Sequence, residues 1–194
     1  LHAGDAPVEG CLLSAQGRIL VYFIASALGT EAVFRLATPQ SFKEVFAHFD
    51  KFHFGEKLKI TETTLPEDPA SVPKSAKSEF ARIQALRPAY PAEINETVMP
   101  LEVGLAHALH TGKGCYPGQE VIEKIISLGS PPRRLAFFTG EGPAPAVPAP
   151  VTTDGADAGT LTSSASVPGS GGWVGLGLLK KNQWNKSGVA GAFA

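Results

Sequence analysis

Apolar residues fall into short blocks over the first third of the chain. Cys11-Leu12-Leu13 and Ile19-Leu20-Val21-Tyr22-Phe23-Ile24-Ala25 are two such runs, separated by Ser14-Ala15-Gln16-Gly17-Arg18. That pattern predicts strand, hairpin turn and strand, with glycine at the bend. Gly29-Thr30 closes the second run, and Ala32-Val33-Phe34-Arg35-Leu36 reads as a third strand. Phe42, Val45, Phe46 and Phe49 then recur at i, i+3, i+4 and i+7, the buried stripe of a helix. Thr38-Pro39 opens that helix, or Ser41 with Glu44 caps it one turn later, and it ends before Gly55. Lys57-Leu58-Lys59-Ile60-Thr61 alternates and predicts a strand. Strand, strand, helix, strand is about half of a ferredoxin-like unit.

Residues 65–75 carry Pro and Asp without an apolar period and read as a linker. A weak helix is expected over 78–86, and another beginning at Pro100 and carrying Leu101, Leu105 and Leu109. Val121, Ile122, Ile125 and Ile126 predict a helix stopped by Gly129. Beyond Pro131-Pro132, residues 141–172 are dominated by Gly, Ala, Pro, Ser and Thr. Strand-like runs persist there at 135–139, 159–164 and 173–179, with Asp154-Gly155 as a hairpin signal, so a small β-barrel with exposed loops is preferred to disorder. The expected fold class is α+β: a partial ferredoxin-like β-β-α-β unit, a signature loop with its helix, and a C-terminal β-barrel. The expected division is 1–131 (remnant 10–62, linker 63–77, signature segment 78–131) and 132–194.

Composition narrows the function. With 194 residues the chain can bury a real core, and a net charge of −1 gives no reason to expect nucleic acid as a partner. Two cysteines, Cys11 and Cys115, make no disulfide framework, which suits a reducing compartment. No apolar run approaches membrane-spanning length and no signal peptide opens the chain, although it begins at Leu1 and an N-terminal trim is compatible with that. A cytoplasmic protein is expected.

The stretch with most chemistry is Lys113-Gly114-Cys115-Tyr116-Pro117-Gly118-Gln119-Glu120. Tyr116-Pro117-Gly118-Gln119 predicts a type II turn, since proline presets φ at its first central position and glycine takes the positive φ of the second. Cys115 is then presented beside a helix start, where the dipole and Lys113 favour a thiolate. The competing reading is a small hydrophobe packed beside the turn, and for Cys11 that reading is preferred. His107, His110 and Cys115 fall close together, but a zinc site wants a fourth ligand at convincing spacing. A Cys–His nucleophilic pair lacks an orienting third group. G-x-S-x-G, H-E-x-x-H and P-loop patterns are absent from the sequence.

The octapeptide resembles the K-G-C-Y-x-G-Q-E signature of the YgfZ-type folate-binding proteins. They are a branch of the glycine-cleavage T-protein (aminomethyltransferase) superfamily implicated in iron–sulfur cluster assembly. Further similarity lies in Leu13-Ser14-Ala15-Gln16-Gly17-Arg18-Ile19-Leu20 (a hairpin), residues 57–61, Phe80-Ala81-Arg82-Ile83-Gln84-Ala85 (R-I-x-x-G), Met99-Pro100-Leu101-Glu102 (P-x-E), Gly159-Thr160-Leu161-Thr162-Ser163 (G-x-V-T-S) and residues 173–180. The resemblance implies a folate-binding accessory protein of iron–sulfur assembly with tetrahydrofolate as cofactor and assembly or client proteins as partners. Cys115, with Lys113, would carry the chemistry. Arg82, Gln84, Tyr116, Gly118, Gln119 and Glu120 would hold the cofactor.

For the pterin edge, Gln84, Glu93, Glu96 and Glu102 offer acceptors, and Tyr90, Tyr116 and Trp173 offer flat faces. Arg82, Arg87, Lys124, Arg133, Arg134, Lys180, Lys181 and Lys186 are the cations from which an anionic tail would draw partners. Departures weigh against an aminomethyltransferase: Val21 and Tyr22 stand where those enzymes carry a catalytic aspartate, and Gln84 where they carry a folate-binding glutamate. Leu86 replaces a family glycine and Lys124 a family arginine. Residues 62–77 are too few for the family's second β-α-β half, so either this is a pared-down member, or a dimer partner or another chain completes the sheet, and a homo-oligomer is expected. The rival readings are an aminomethyltransferase-like enzyme, a non-catalytic interaction module and a cysteine hydrolase.

Overall fold

A computed structural model describes residues 6–28, 31–38, 42–51, 59–62, 76–112 and 114–184. It is a mixed α+β chain with two antiparallel sheets and few helices. β1 (Val8–Leu13), β2 (Ile19–Leu28) and β3 (Glu31–Leu36) form the first sheet, in the order β1-β2-β3. Pairing Cys11 with Tyr22 and Phe23 with Leu36 fixes which side chains share a face. One face carries Phe23 and Phe34, whose rings meet at 5.2 Å, and Phe34 in turn meets Phe49 at 5.5 Å. Phe49 belongs to α1 (Phe42–Asp50), so the aromatic stripe seen in the sequence covers this face. The opposite face carries Glu9, Cys11 and Tyr22, and the latter two lean on the main core.

The described part of the expected strand at 57–61, from Lys59 onward, is without strand pairing, and the rest lies outside the described residues. α2 (Ala76–Gln84) and α3 (Gln119–Ser127) form as the periodicity predicts. The helix expected from Pro100 is instead two 3-10 turns, Pro100–Glu102 and Ala106–Ala108. Gly104 between them has φ +76°, a conformation no right-handed helix contains. Leu105 is still buried.

β4 (Arg133–Glu141), β5 (Ala149–Thr153), β6 (Ala156–Ser166) and β7 (Gly172–Lys180) make the second sheet, in the order β4-β7-β6-β5. Asp154 and Gly155, both with positive φ, turn β5 into β6 as a primed hairpin turn requires. Pairing of β4 with β5, which would close a barrel, is not among the ladders of the described residues. Val174, Leu176 and Leu178 of β7 enter the main core, while Leu179 packs with Ala136 and Ala158 on the other side. That main core also takes Leu13 and Ile19 from the hairpin, Ile83 from α2, Ile94, Val98 and Leu105 from the connecting segment, and Ile122 from α3. Hairpin, signature helix and C-terminal sheet therefore share one apolar interior.

Candidate functional site

The signature turn is seated on the β1–β2 hairpin. Gly118 has φ 81° and ψ 0°, and the Gln119 N–H donates to the Tyr116 carbonyl at 3.2 Å, the geometry of a type II turn. A Cβ on Gly118 would lie 2.5 Å from the Ser14 carbonyl oxygen and 2.8 Å from Cα of Gly17. Backbone meets backbone there, and only glycine fits. The hairpin side is equally built: the Ser14 N–H donates to the Arg18 carbonyl at 2.9 Å, and Gly17 is buried beneath Val121 and Ile122 of α3. The two sequence motifs are thus two halves of one contact.

This seating sends Tyr116 inward against the core and leaves Cys115 exposed. Burial, with Glu123 nearby, pushes the Tyr116 phenol above its usual pKa. Gln119 donates to Glu123 Oε1 at 2.7 Å along α3, and Glu120 is exposed. Lys113 lies outside the described residues. No group of three His, Cys, Asp or Glu side chains among the described residues is placed to hold a metal ion.

Arg82 is buried and all five of its N–H donors are engaged. Nε and Nη2 bond Glu79 at 2.9 and 2.5 Å, Nη1 bonds the Arg87 carbonyl at 2.6 Å and Glu93 at 3.0 Å, and Nη2 also bonds Ser163 at 2.7 Å. Burial disfavours the charge, but Glu79 and Glu93 outweigh it and hold the guanidinium above its ordinary pKa. Glu93, with no exposed surface, also accepts from Thr162 and Ser163 at 2.6 Å each. Arg82 is therefore a link between α2, the connecting segment and β6. Gln84, two residues on, is exposed. Glu102 is similarly enclosed: Arg133 grips it through Nε and Nη2, both at 2.8 Å, and the Met99 N–H donates to it at 3.0 Å. Trp173 lies across Gly140, its Nε1 2.4 Å from where a Cβ would stand, so one indole face is covered.

Two clefts open beside these links. One of about 360 Å³ is walled by Leu20, Ile94 and Tyr90, with Thr38 and Asn95 as polar contributors. The second, about 570 Å³, is lined by Arg18, Arg133, Pro132 and Glu102. Both include Glu96 and Thr97, so they adjoin there. Of the acceptors considered for a pterin, Glu93 and Glu102 are enclosed in ion pairs, whereas Glu96 faces both clefts. Tyr90 is exposed at the cleft wall. Sequence reasoning missed Thr38, Asn95 and Arg18, whose only signal is proximity in space. Neither cleft is lined by Gln84 or by the signature loop.

Where the resemblance would place a catalytic aspartate, Val21 is buried and the Tyr22 hydroxyl donates to Glu9 Oε2. His107 Nε2 reaches the same carboxylate oxygen at 2.7 Å. Burial and the Glu9 hydrogen bond raise the Tyr22 pKa far above the ordinary phenol value. For Glu9 burial works against ionisation, yet the bonds from Tyr22 and His107 prevail and its pKa is lowered.

No protein-family model matches the chain. It is 33% identical over 129 residues to a chloroplastic protein of Arabidopsis thaliana that carries the name putative transferase. The match takes in 66% of this chain but 29% of that relative, so the chain spans less than a third of the relative's length. Among the described residues no helix is long and apolar enough to cross a membrane.

Proposed function

We propose that this chain is a YgfZ-type folate-binding accessory protein for assembly or maintenance of iron–sulfur clusters, with Cys115 as its reactive thiol. The observation that carries the reading is the seat of the signature turn on the hairpin, which holds Cys115 out to solvent beside the start of α3. The relative's transferase name is compatible with the wider superfamily. The smaller cleft would take the folate ring, since its volume lies in the range of small-molecule pockets, roughly 300–1,000 Å³. Tyr90 and Ile94 would hold its flat face and the Thr38 hydroxyl an edge. Arg82, whose five donors are engaged, has none to offer that ring, and Gln84 does not line this cleft. Cys115, with Lys113 two positions away, would exchange with a disulfide or contact a cluster or its donor protein.

Titration calorimetry with tetrahydrofolate tests the ligand: saturable binding is expected, weakened about tenfold by Tyr90→Ala. Absence of heat at millimolar ligand removes folate from the reading. The thiol is tested separately by complementing a strain deficient in iron–sulfur enzyme activity. Cys115→Ala should bind folate and fail to complement, and full complementation by it would refute the thiol role.

A folate-dependent transferase is the second reading, favoured by the relative's name and by the Glu9 carboxylate beside Tyr22. It requires folate-dependent transfer of a one-carbon group that Glu9→Gln abolishes. No turnover with tetrahydrofolate and an aminomethyl donor would dismiss it.

A further inference from the structure

The larger cleft brings Arg18 and Glu96, which are not paired with each other among the described residues, into one lining with the Arg133–Glu102 ion pair. Arg18 leaves the hairpin turn and donates from Nη1 to the Thr97 carbonyl, its one side-chain partner among the described residues. Arg133 arrives from β4 and donates to the same carbonyl from Nη2 at 2.9 Å. One backbone oxygen thus pins two guanidinium groups at one wall. Ile19 N–H to Val98 O, at 2.9 Å, holds the hairpin against the segment that carries that oxygen.

Both arginines keep donors in reserve. A guanidinium has five N–H groups. Arg18 uses one of them, and Nη1 of Arg133 donates to none of the described groups. Glu96, next to Thr97, lines the same cleft and makes no hydrogen bond or ion pair among the described residues. Glu102, which also lines the cleft, is held by Arg133 and by the Met99 N–H. Formal charges across the lining sum to zero, which gives a simple anion little field to enter. A molecule carrying both signs meets complementary groups at each end.

We infer that the cleft between Arg18, Arg133 and Glu96 is a binding site for a small zwitterion of the α-amino acid class, its carboxylate on the two guanidinium groups and its ammonium on Glu96. Bidentate carboxylate recognition is what guanidinium geometry favours, and the ammonium supplies the donors an open glutamate lacks. The site does not involve Cys115, and it adjoins the cleft of the folate reading at Glu96 and Thr97 without resting on that reading.

The probe is L-alanine, followed by calorimetry or by chemical-shift titration of the full chain, against N-acetyl-L-alanine and L-alaninamide. Saturable binding is expected for L-alanine alone, with losses of about tenfold for Glu96→Gln and for Arg18→Gln. Glu96→Gln disturbs no described hydrogen bond, so its effect is read in an intact fold, with a thermal melt as check. Equal binding of N-acetyl-L-alanine would make this an anion site and overturn the proposal. So would unchanged affinity in Glu96→Gln, or the absence of saturation by L-alanine at any accessible concentration.

Discussion

At Gly118 a left-handed backbone and a backbone contact coincide. Its φ of 81° is left-handed, and a methyl group there would press on the Ser14 carbonyl at 2.5 Å. Gly104 shares the first constraint, with φ +76°, but has nothing within 4 Å. Gly104→Ala should therefore cost about 1–2 kcal/mol, the left-handed penalty alone. Gly118→Ala should cost more, by roughly 1–3 kcal/mol for an overpacked contact that only backbone can relieve. Denaturant unfolding of both variants measures the difference, and equal losses would mean that the turn does not rest on the hairpin. Glu9 and Tyr22 make a second prediction at this scale. The lowered Glu9 pKa contributes stability above the ordinary glutamate value near 4.3 and loses it as pH falls through the folded value. The raised Tyr22 pKa contributes stability below the ordinary phenol value near 10, and loses it as pH rises toward the folded value. Stability lost in Tyr22→Phe should accordingly be greatest between about pH 5 and 9 and shrink on either side. A loss that stays constant from pH 3 to pH 10.5 would contradict the bonded pair.

The link between α2, the connecting segment and β6 is an ion pair with almost no contact with solvent: Arg82 and Glu93 side chains are 5% and 0% exposed. Removing one partner of such a pair strands the other, which costs about 3–5 kcal/mol, whereas replacing both by apolar groups can be nearly neutral. Glu93→Ala should thus be severely destabilising, and Arg82→Met combined with Glu93→Leu should lose much less than the two single changes added together. A double-mutant cycle by chemical denaturation reads this directly, and simple additivity would show that the groups do not share one network. The same link shows where sequence reading stops. α2 and α3 were legible because apolar spacing over consecutive residues decides them, and the signature turn was legible because Pro117 and Gly118 allow few conformations. Glu93 and Glu96 were not separable, although one is enclosed and the other faces two clefts. What distinguishes them is Ser163, whose hydroxyl reaches Glu93 from seventy positions away. The same limit explains the failed helix at Pro100: leucines at 101, 105 and 109 keep a helical spacing, while Gly104 breaks the backbone between them.

On the scale of the whole molecule, the expected boundary near 131 does not coincide with a boundary in the apolar interior. Ile19 from the hairpin and Leu176 from β7 belong to one core, with Ile122 and Ile83 joining them. Strand order explains why this was not readable beforehand: β7 lies between β4 and β6, and nothing local to residues 172–180 names either neighbour. A shared core implies coupled unfolding, because solvent cannot reach one side without exposing the other. The two tryptophans, Trp173 and Trp184, belong to the C-terminal sheet and its flank, so their fluorescence reports that region. Ile19→Ala, in the N-terminal hairpin, deletes a side chain that is 1% exposed and should cost about 2–5 kcal/mol. If the core is one unit, this distant truncation shifts the tryptophan transition and the far-ultraviolet circular dichroism transition to the same lower denaturant concentration. If residues 132–194 fold as a unit of their own, the tryptophan transition stays where it was while the dichroism curve becomes biphasic. The first outcome would also bear on Cys115: the loop that presents it is anchored through Ile122 in that same interior, so its exposure would then depend on the stability of the C-terminal sheet.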